Sequence, residues 1–429
     1  MKNFSLSITG LVLILFSLWS NLVLGGTLAT ADRTPPNVVL LITDDQGYGD
    51  LGVHGNPVIK TPNLDRLAGE SIRLDDYHVA PTCSPTRAAL LTGRWQNRTG
   101  VWYTIMGRSM LRMNEVTLAD MLAGAGYETA MVGKWHLGDN YPYRPHDRGF
   151  KQAYYHGGGG VGQTPDYWNN TYFDGSYFRN GVPEPAKGYV TDVFFDEAIS
   201  FIDSVRGSGR PFFLYLSTNA PHGPMHAPQS YADLYKGLDL SVAEQHFLGM
   251  ISNIDDNVGR LLGYLEKNRL SDNTIFIFTT DNGTSTGHKV FNAGMRGKKG
   301  SEYDGGHRVP FFLRWPAGGL NEARVVDRLT AHVDIVPTLL DLTGTPAPEN
   351  VRFDGDSIRT LLEADDSRWP DRTLITDSQR VLNPIKWRRA AVMTDRWRMI
   401  NGEELYDMHA DPAQQSNVAD AHPAVFDGL

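Results

Sequence analysis

Three uninterrupted apolar runs constrain this chain more than any other feature. They are Asn37–Thr43 (Asn-Val-Val-Leu-Leu-Ile-Thr), Pro211–Ser217 (Pro-Phe-Phe-Leu-Tyr-Leu-Ser) and Thr274–Thr280 (Thr-Ile-Phe-Ile-Phe-Thr-Thr). A strand with one wet face alternates apolar and polar residues. These runs do not alternate, so both of their faces must be covered. Thr129–Val132 reads as a further, shorter strand. Helical patterns lie between the runs. Thr61-Pro62 opens one, with Leu64, Leu67, Ala68 and Ile72 at helical spacing; Thr117–Ala125 is stopped by Gly126; Asp192–Val205 and Val242–Lys267 follow. Strands alternating with helices predict an α/β fold, a large and mainly parallel sheet sandwiched by helices. From about residue 346 the texture changes. Trp387–Met393 and Trp397–Ile400 read as short strands with mixed faces, and Glu404–Asp407 precedes a polar tail. Residues 346–429 are therefore expected to form a small C-terminal α+β subdomain with an antiparallel sheet, after a main domain over 32–345. The tail stops soon after Asp411-Pro412, so this subdomain reads as a short version or a fragment.

In open α/β sheets, ligands bind beyond the carboxyl ends of the strands. Two of the apolar runs end in Asp44-Asp45 and Asp281-Asn282. Three carboxylates and one amide suit a hard cation, Ca²⁺ or Mg²⁺, whereas softer metals would want more His or Cys. Asp also caps helices and turns. Two acidic ends on separate buried strands favour the metal. Lys134 and His136 follow the Thr129–Val132 strand, and residues two apart in extended chain point the same way. His222 follows the second run.

The only cysteine, Cys83, lies in Cys83-Ser84-Pro85-Thr86-Arg87, where a loop enters a helix. Pro85 suits the first helical position and Gly93 the left-handed stop. A helix N-terminus favours a nucleophile or an anion, and Arg87, four residues on, shares the face of Cys83. A buried, inert thiol is the alternative, because free Cys is among the most buried residue types.

Cys83-x-Pro-x-Arg87, followed by a helix and Thr92-Gly93, resembles the signature of the formylglycine-dependent sulfatases. Gly133-Lys134-Trp135-His136-Leu137-Gly138 is similar to a second block of that family, Pro221-His222-x-Pro224 to a third, and Lys299-Gly300-Ser301-Glu302-Tyr303-Asp304-Gly305-Gly306 to a fourth. Lys299 is preferred to Lys298 because the family lysine directly precedes the glycine. These blocks span Asn37 to Arg314 in order, and Leu405-Tyr406-Asp407 resembles a C-terminal one. His307 stands where an aliphatic residue is common, which is expected to alter only a pocket wall.

The resemblance implies an alkaline-phosphatase-like sheet and hydrolysis of a sulfate monoester. It implies that Cys83 is oxidised to formylglycine by a maturation enzyme. Asp44, Asp45, Asp281 and Asn282, with residue 83, would hold calcium. Arg87 would hold the nucleophile's hydroxyl, and Lys134 and Lys299 would bind sulfate oxygens. His222 would act as the acid and His136 as the base. Related readings are a phosphonate or phosphodiester hydrolase and a non-catalytic glycan-binding protein.

A net charge of −9 argues against a nucleic-acid binder, which would carry a basic stripe. It also means that local positive charge must attract an anionic substrate. Residues 1–31 read as a secretory signal, with Lys2 before the apolar Leu11–Trp19 and cleavage after Gly25 or Ala29-Thr30-Ala31. No later segment is apolar enough to span a membrane, so an exported protein, periplasmic or secreted, is expected. A lone cysteine forms no intrachain disulfide in that setting, which raises the prior for a special role at Cys83. Tyr141–Gly188 is rich in aromatics and glycine (Tyr154, Tyr155, Tyr167, Trp168, Tyr172, Tyr177). Aromatic faces suit stacking on sugar rings, or packing of a long loop onto the core. With export, this favours a sulfated carbohydrate over a small aryl sulfate.

Overall fold

The structure is a computed structural model that describes Met1 and residues 34–429 apart from 164, 165 and 167. The expected signal segment and Tyr167 lie outside the described residues. Residues Pro35–Leu429 form one compact unit. Its centre is a ten-stranded sheet. In spatial order the strands are Arg324–Val326, Ile72–Leu74, Phe311–Arg314, Thr274–Thr280, Asn37–Thr43, Phe212–Ser217, Glu128–Lys134, Gln152–His156, Ser176–Arg179 and Val182–Pro185. The middle five are mutually parallel. Phe311–Arg314 and the last two strands join antiparallel.

The apolar runs are continuous because the sheet has a core on each face. Val38, Leu40 and Ile42 enter one cluster with Ile275 and Ile277, and Val39 and Leu41 enter the other with Phe276 and Phe278. Each of these side chains is essentially removed from water, worth about 1.5–3 kcal/mol apiece against exposure. Helix Val242–Lys267 covers the second face. It starts at a capping box between Ser241 and Glu244 and buries Met250, Ile254, Val258, Leu261 and Leu265. Helix Leu118–Gly124 opens on a second capping box, Thr117 with Asp120.

The helix opened by Thr61-Pro62 ends at Gly69, and Ile72 starts the strand Ile72–Leu74. Ile72 shared the helical spacing by coincidence, since an apolar residue is needed wherever the core is met. The C-terminal region forms the expected antiparallel sheet: Leu374–Asp377, Ala390–Met393, Trp397–Ile400 and Glu404–Asp407. Leu374–Asp377 was not evident in the sequence. Trp387–Arg389 precede their strand, with Trp387 and Arg389 in left-handed backbone. This sheet packs through Leu374, Ala391, Met393, Ile400 and Tyr406 against Ala89 of the Cys83 helix. Tyr406 OH accepts from Arg296 at 3.0 Å, and Tyr303 OH donates to Glu404 at 2.8 Å. The C-terminal sheet thus braces the segment that carries Lys299. Among the described residues, no helix is long and apolar enough to cross a membrane.

Candidate active site

Strand register brings the acidic ends together. Thr43 stands level with Thr280, and Ile42 with Ser217, so Asp44-Asp45 and Asp281-Asn282 leave the sheet side by side. The Asp45 amide donates to Asp281 Oδ1 at 3.1 Å. Asp45 takes φ +70°, a left-handed backbone that Asp tolerates through its short polar side chain. Lys134 is the last residue of its strand rather than just past it. His136 also reaches the site, though not by strand alternation, because its φ is +59°. Cys83 is the first residue of helix Cys83–Thr92, with Thr82 as N-cap and Gly93 in the left-handed stop at φ +67°. Pro85 is therefore the third helical residue and not the first. A third-position N–H has no intrahelical partner either, so proline costs nothing there.

Each buried carboxylate carries one cation. Lys134 Nζ lies 2.6 Å from Asp44 Oδ2, Lys299 Nζ 2.5 Å from Asp45 Oδ1, and Arg87 Nη2 2.7 Å from Asp281 Oδ2. Arg87 also donates from Nη1 to the Lys134 carbonyl at 3.1 Å and to Ser217 Oγ. Lys299 Nζ stands 3.5 Å from Cys83 Sγ, while Lys298 is exposed. Of the two neighbouring lysines, Lys299 is thus the one that the fold places beside Cys83.

The donor set fits a hard cation. Asp44 Oδ1 and Asn282 Oδ1 are buried with no hydrogen-bond partner. Orphaned oxygens of this kind are rare in proteins, and carboxylate and amide oxygens are what Ca²⁺ and Mg²⁺ take. Ligand atoms of Asp44, Asp45, Cys83 and His222 lie within 4.8 Å of one another, and Asn282 Nδ2 donates to Asp45 Oδ1 at 2.9 Å. His222 thus approaches the acidic cluster more closely than the sequence implied.

Burial, with Asp44 beside it, raises Asp281 to about 6. Burial raises Asp45 too, but Lys299, His222 and Lys134 outweigh it and hold that carboxyl well below the usual range. Burial pushes the Cys83 thiol up to about 12, against the helix N-terminus and two lysines. The unmodified side chain is thus a neutral thiol rather than a thiolate nucleophile. Burial, helped by Lys134, lowers His136. Burial likewise takes His222 to about 4, with Asp45 opposing and both lysines assisting.

Hydrogen bonds fix which ring nitrogen is free. His136 Nε2 faces the Thr104 carbonyl at 2.8 Å and must donate to it, so Nδ1 carries the lone pair; Nδ1 is buried and unpartnered. His222 Nδ1 faces the Gly223 carbonyl at 2.7 Å, so its free nitrogen is Nε2, 3.8 Å from Asp45 Oδ2. Both rings open onto a cleft of about 480 Å³ that Cys83 and Lys299 also line. Gly159 forms part of its wall, and Gly160 packs beside the His222 ring. A Cβ on Gly159 would sit 2.8 Å from the His136 ring, and one on Gly160 3.0 Å from the His222 ring.

Sequence reasoning missed Ser217, Asp139, Gln163, Arg380 and the loop Thr104–Met110, of which all but Ser217 line the cleft. Ser217 was findable as the carboxyl end of a buried strand. The others sit on loops without periodicity. The aromatics of the 141–188 segment mostly pack: Tyr154, Tyr155, Tyr172 and Tyr177 are buried, and none of the described ones lines the cleft. His307 does not form a pocket wall. It is fully buried, with Nδ1 2.8 Å from His78 Nδ1, behind the site.

Comparison with known proteins agrees with this geometry. The family model Sulfatase matches residues 36–345, and the model N-sulphoglucosamine sulphohydrolase, C-terminal, matches 297–425. The chain is 33% identical over 364 residues to N-acetylgalactosamine-6-sulfatase of Sus scrofa, covering 78% of this chain and 67% of that one. It is 34% identical over 354 residues to arylsulfatase A of Homo sapiens, covering 76% and 68%. The chain spans about two thirds of the length of such curated relatives. The crystal structure of Ps i-CgsB in complex with k-i-k-neocarrahexaose superposes with a TM-score of 0.82 at 28% identity, covering 92% of this chain and 90% of that one.

Proposed function

This chain belongs to the sulfatase family, and we propose that it is a sulfuric ester hydrolase that releases inorganic sulfate from a sulfated carbohydrate. The observation that carries the proposal is the surround of Cys83. Ligand atoms of Asp44, Asp45 and His222 cluster within 4.8 Å of one another and of the thiol at this helix start, three carboxylates including Asp281 are each held by their own cation, and His136 opens onto the same cleft. One relative, N-acetylgalactosamine-6-sulfatase, is named for a sulfated sugar, and one structural neighbour was crystallised with a neocarrahexaose. Export to the periplasm or medium, and a boundary between catalytic and C-terminal parts near residue 345, belong to the same proposal.

Oxidised to formylglycine by a maturation enzyme, residue 83 supplies a hydrated aldehyde as the nucleophile toward sulfur. Asp44, Asp45, Asp281 and Asn282 would hold Ca²⁺ or Mg²⁺, which when bound supplies Lewis-acid polarisation of sulfate oxygens and acidifies the hydrate. Lys134 and Lys299 present ammonium groups to the oxygens that gain charge. Arg87, committed to Asp281 and Ser217, orients the acidic cluster more than it touches substrate. His222 Nε2 donates a proton to the leaving oxygen. Its low value in the free site rises when an anionic ester offsets the two ammonium groups beside it. His136 Nδ1, neutral and unpartnered, takes the proton from the second hydroxyl, so that sulfate leaves and the aldehyde returns.

The test is the mass of the tryptic peptide from Leu74 to Arg87, made in a host with sulfatase-maturation machinery, joined to turnover of 4-nitrophenyl sulfate and bis-(4-nitrophenyl) phosphate. Formylglycine at 83 with preferred sulfate turnover is expected. Preferred diester turnover would move the assignment to a phosphodiester hydrolase. An unmodified cysteine from a host that matures another sulfatase would overturn the enzyme reading in favour of glycan binding.

A further inference from the structure

The inner site does not attract anions by itself. Its three carboxylates are matched one to one by Lys134, Lys299 and Arg87, and the chain as a whole carries −9. The attraction has to come from elsewhere, and the sequence holds two acid-free stretches that meet at the cleft. Residues 77–114 contain no Asp or Glu, and neither do residues 378–394. Trp102 Nε1 donates to the Val381 carbonyl at 3.1 Å, and Arg108 Nε to the Leu382 carbonyl at 3.2 Å, clasping one stretch onto the other. Arg389 Nη1 donates to the carbonyl of Gly300, next to Lys299, and Arg388 Nε to that of Gln379, next to Arg380.

The rim built in this way is basic and apolar together. Arg380 is exposed, lines the cleft and lies over the Tyr103 ring at 5.7 Å. Lys386 lies over Trp387 at 5.0 Å. Among the described residues, none of Arg108, Arg380, Lys386, Arg388 and Arg389 pairs with a carboxylate. Elsewhere on the surface Arg144, Arg179 and Arg396 do pair. Ile105, Met106, Leu382, Ile385 and Trp387 are exposed on the same two stretches, and Ile105 and Met106 line the cleft. Uncompensated cations set among exposed apolar side chains match a sugar chain that carries anionic groups. The guanidinium fork takes a sulfate or carboxylate, and apolar side chains lie against ring faces.

We propose that the rim formed by residues 102–113 and 380–389 binds a polyanionic glycan, with Arg380 at the cleft mouth taking an anionic group on a sugar next to the one that is desulfated. The position of the desulfated sugar rests on the sulfatase reading; the polyanion site does not. It deepens the substrate from a sulfated carbohydrate to an oligomer charged at more than one residue.

Titration calorimetry tests it on the full chain with Cys83 unmodified, using a dextran sulfate oligosaccharide as probe and unsulfated dextran of the same length as control. We expect the sulfated probe to bind, with affinity falling steeply with salt, and the control not to. Arg380→Ala should weaken binding about tenfold and Arg380→Ala with Lys386→Ala about a hundredfold, at roughly tenfold for each charge-assisted hydrogen bond removed. Arg380→Lys should keep most of it. Both residues are exposed and unpaired, so unfolding curves should not move. Equal binding of the two probes, or variants that bind like the parent, would overturn the proposal. On the matured enzyme, the Arg380→Ala loss in kcat/KM should be at least tenfold greater for a sulfated oligosaccharide than for 4-nitrophenyl sulfate. Absence of aryl sulfate turnover by the parent would instead count against the sulfatase reading and leave the binding result standing.

Discussion

Arg87→Met tests the charge arrangement behind the site. Arg87 is fully buried. Its Nε and Nη2 both reach Asp281 Oδ2, at 3.1 and 2.7 Å, and its Nη1 serves the Lys134 carbonyl and Ser217 Oγ. Methionine fills much of the same space without a donor or a charge, so little packing is lost. What remains is an Asp281 carboxylate with no cation of its own, inside the protein. Removing one partner of a buried ion pair costs about 3–5 kcal/mol. Two neutral acceptors left without a donor add about 1–3 kcal/mol each where they cannot relax. We therefore expect at least about 3 kcal/mol of lost stability, read from urea unfolding in the presence of EDTA. Arg87→Lys is the control. It returns the charge but not the fork, so it should recover about half of the loss. A loss under about 1 kcal/mol for Arg87→Met, or a lysine variant no better than methionine, would refute the one-to-one pairing.

Asp50 is buried, accepts from the Gly47 amide at 2.8 Å, and burial raises it to about 7. A carboxyl raised on folding contributes stability that is fully present below its unfolded value near 4 and is lost as pH rises through 7. Asp50→Asn should abolish a fall of up to about 4 kcal/mol between pH 4 and 8, measured by urea unfolding across that range. His222→Gln should lower kcat/KM on an alkyl sugar sulfate by about 10²–10⁴-fold and far less on 4-nitrophenyl sulfate, whose leaving group needs no proton; equal losses would remove His222 as the acid. Chelation with EDTA should abolish turnover, and Ca²⁺ or Mg²⁺ should restore it; full activity in EDTA would argue against the acidic cluster as a cation site.

The sequence by itself determined the sheet and which candidate residues stand at its carboxyl ends. A buried parallel strand must be apolar on both faces, and this leaves a local signal: Asn37–Thr43 and Thr274–Thr280 occur with the bounds expected. Ligand-binding positions sit at or just beyond the ends of such strands, so Asp44, Asp45, Lys134, His222, Asp281 and Asn282 were candidates from position and family blocks together. Tertiary structure decided what those residues do to one another. Asp44 meets Lys134 across 90 positions and Asp45 meets Lys299 across 254, and no periodicity encodes a pairing at such range. Burial then set the protonation states, leaving the unmodified Cys83 a neutral thiol although it stands at a helix start. Left-handed backbone, not strand alternation, brought His136 to the cleft. The rim containing Arg380 lay on two loops far apart in sequence. Loops carry no repeating pattern, so only the folded chain shows that they touch.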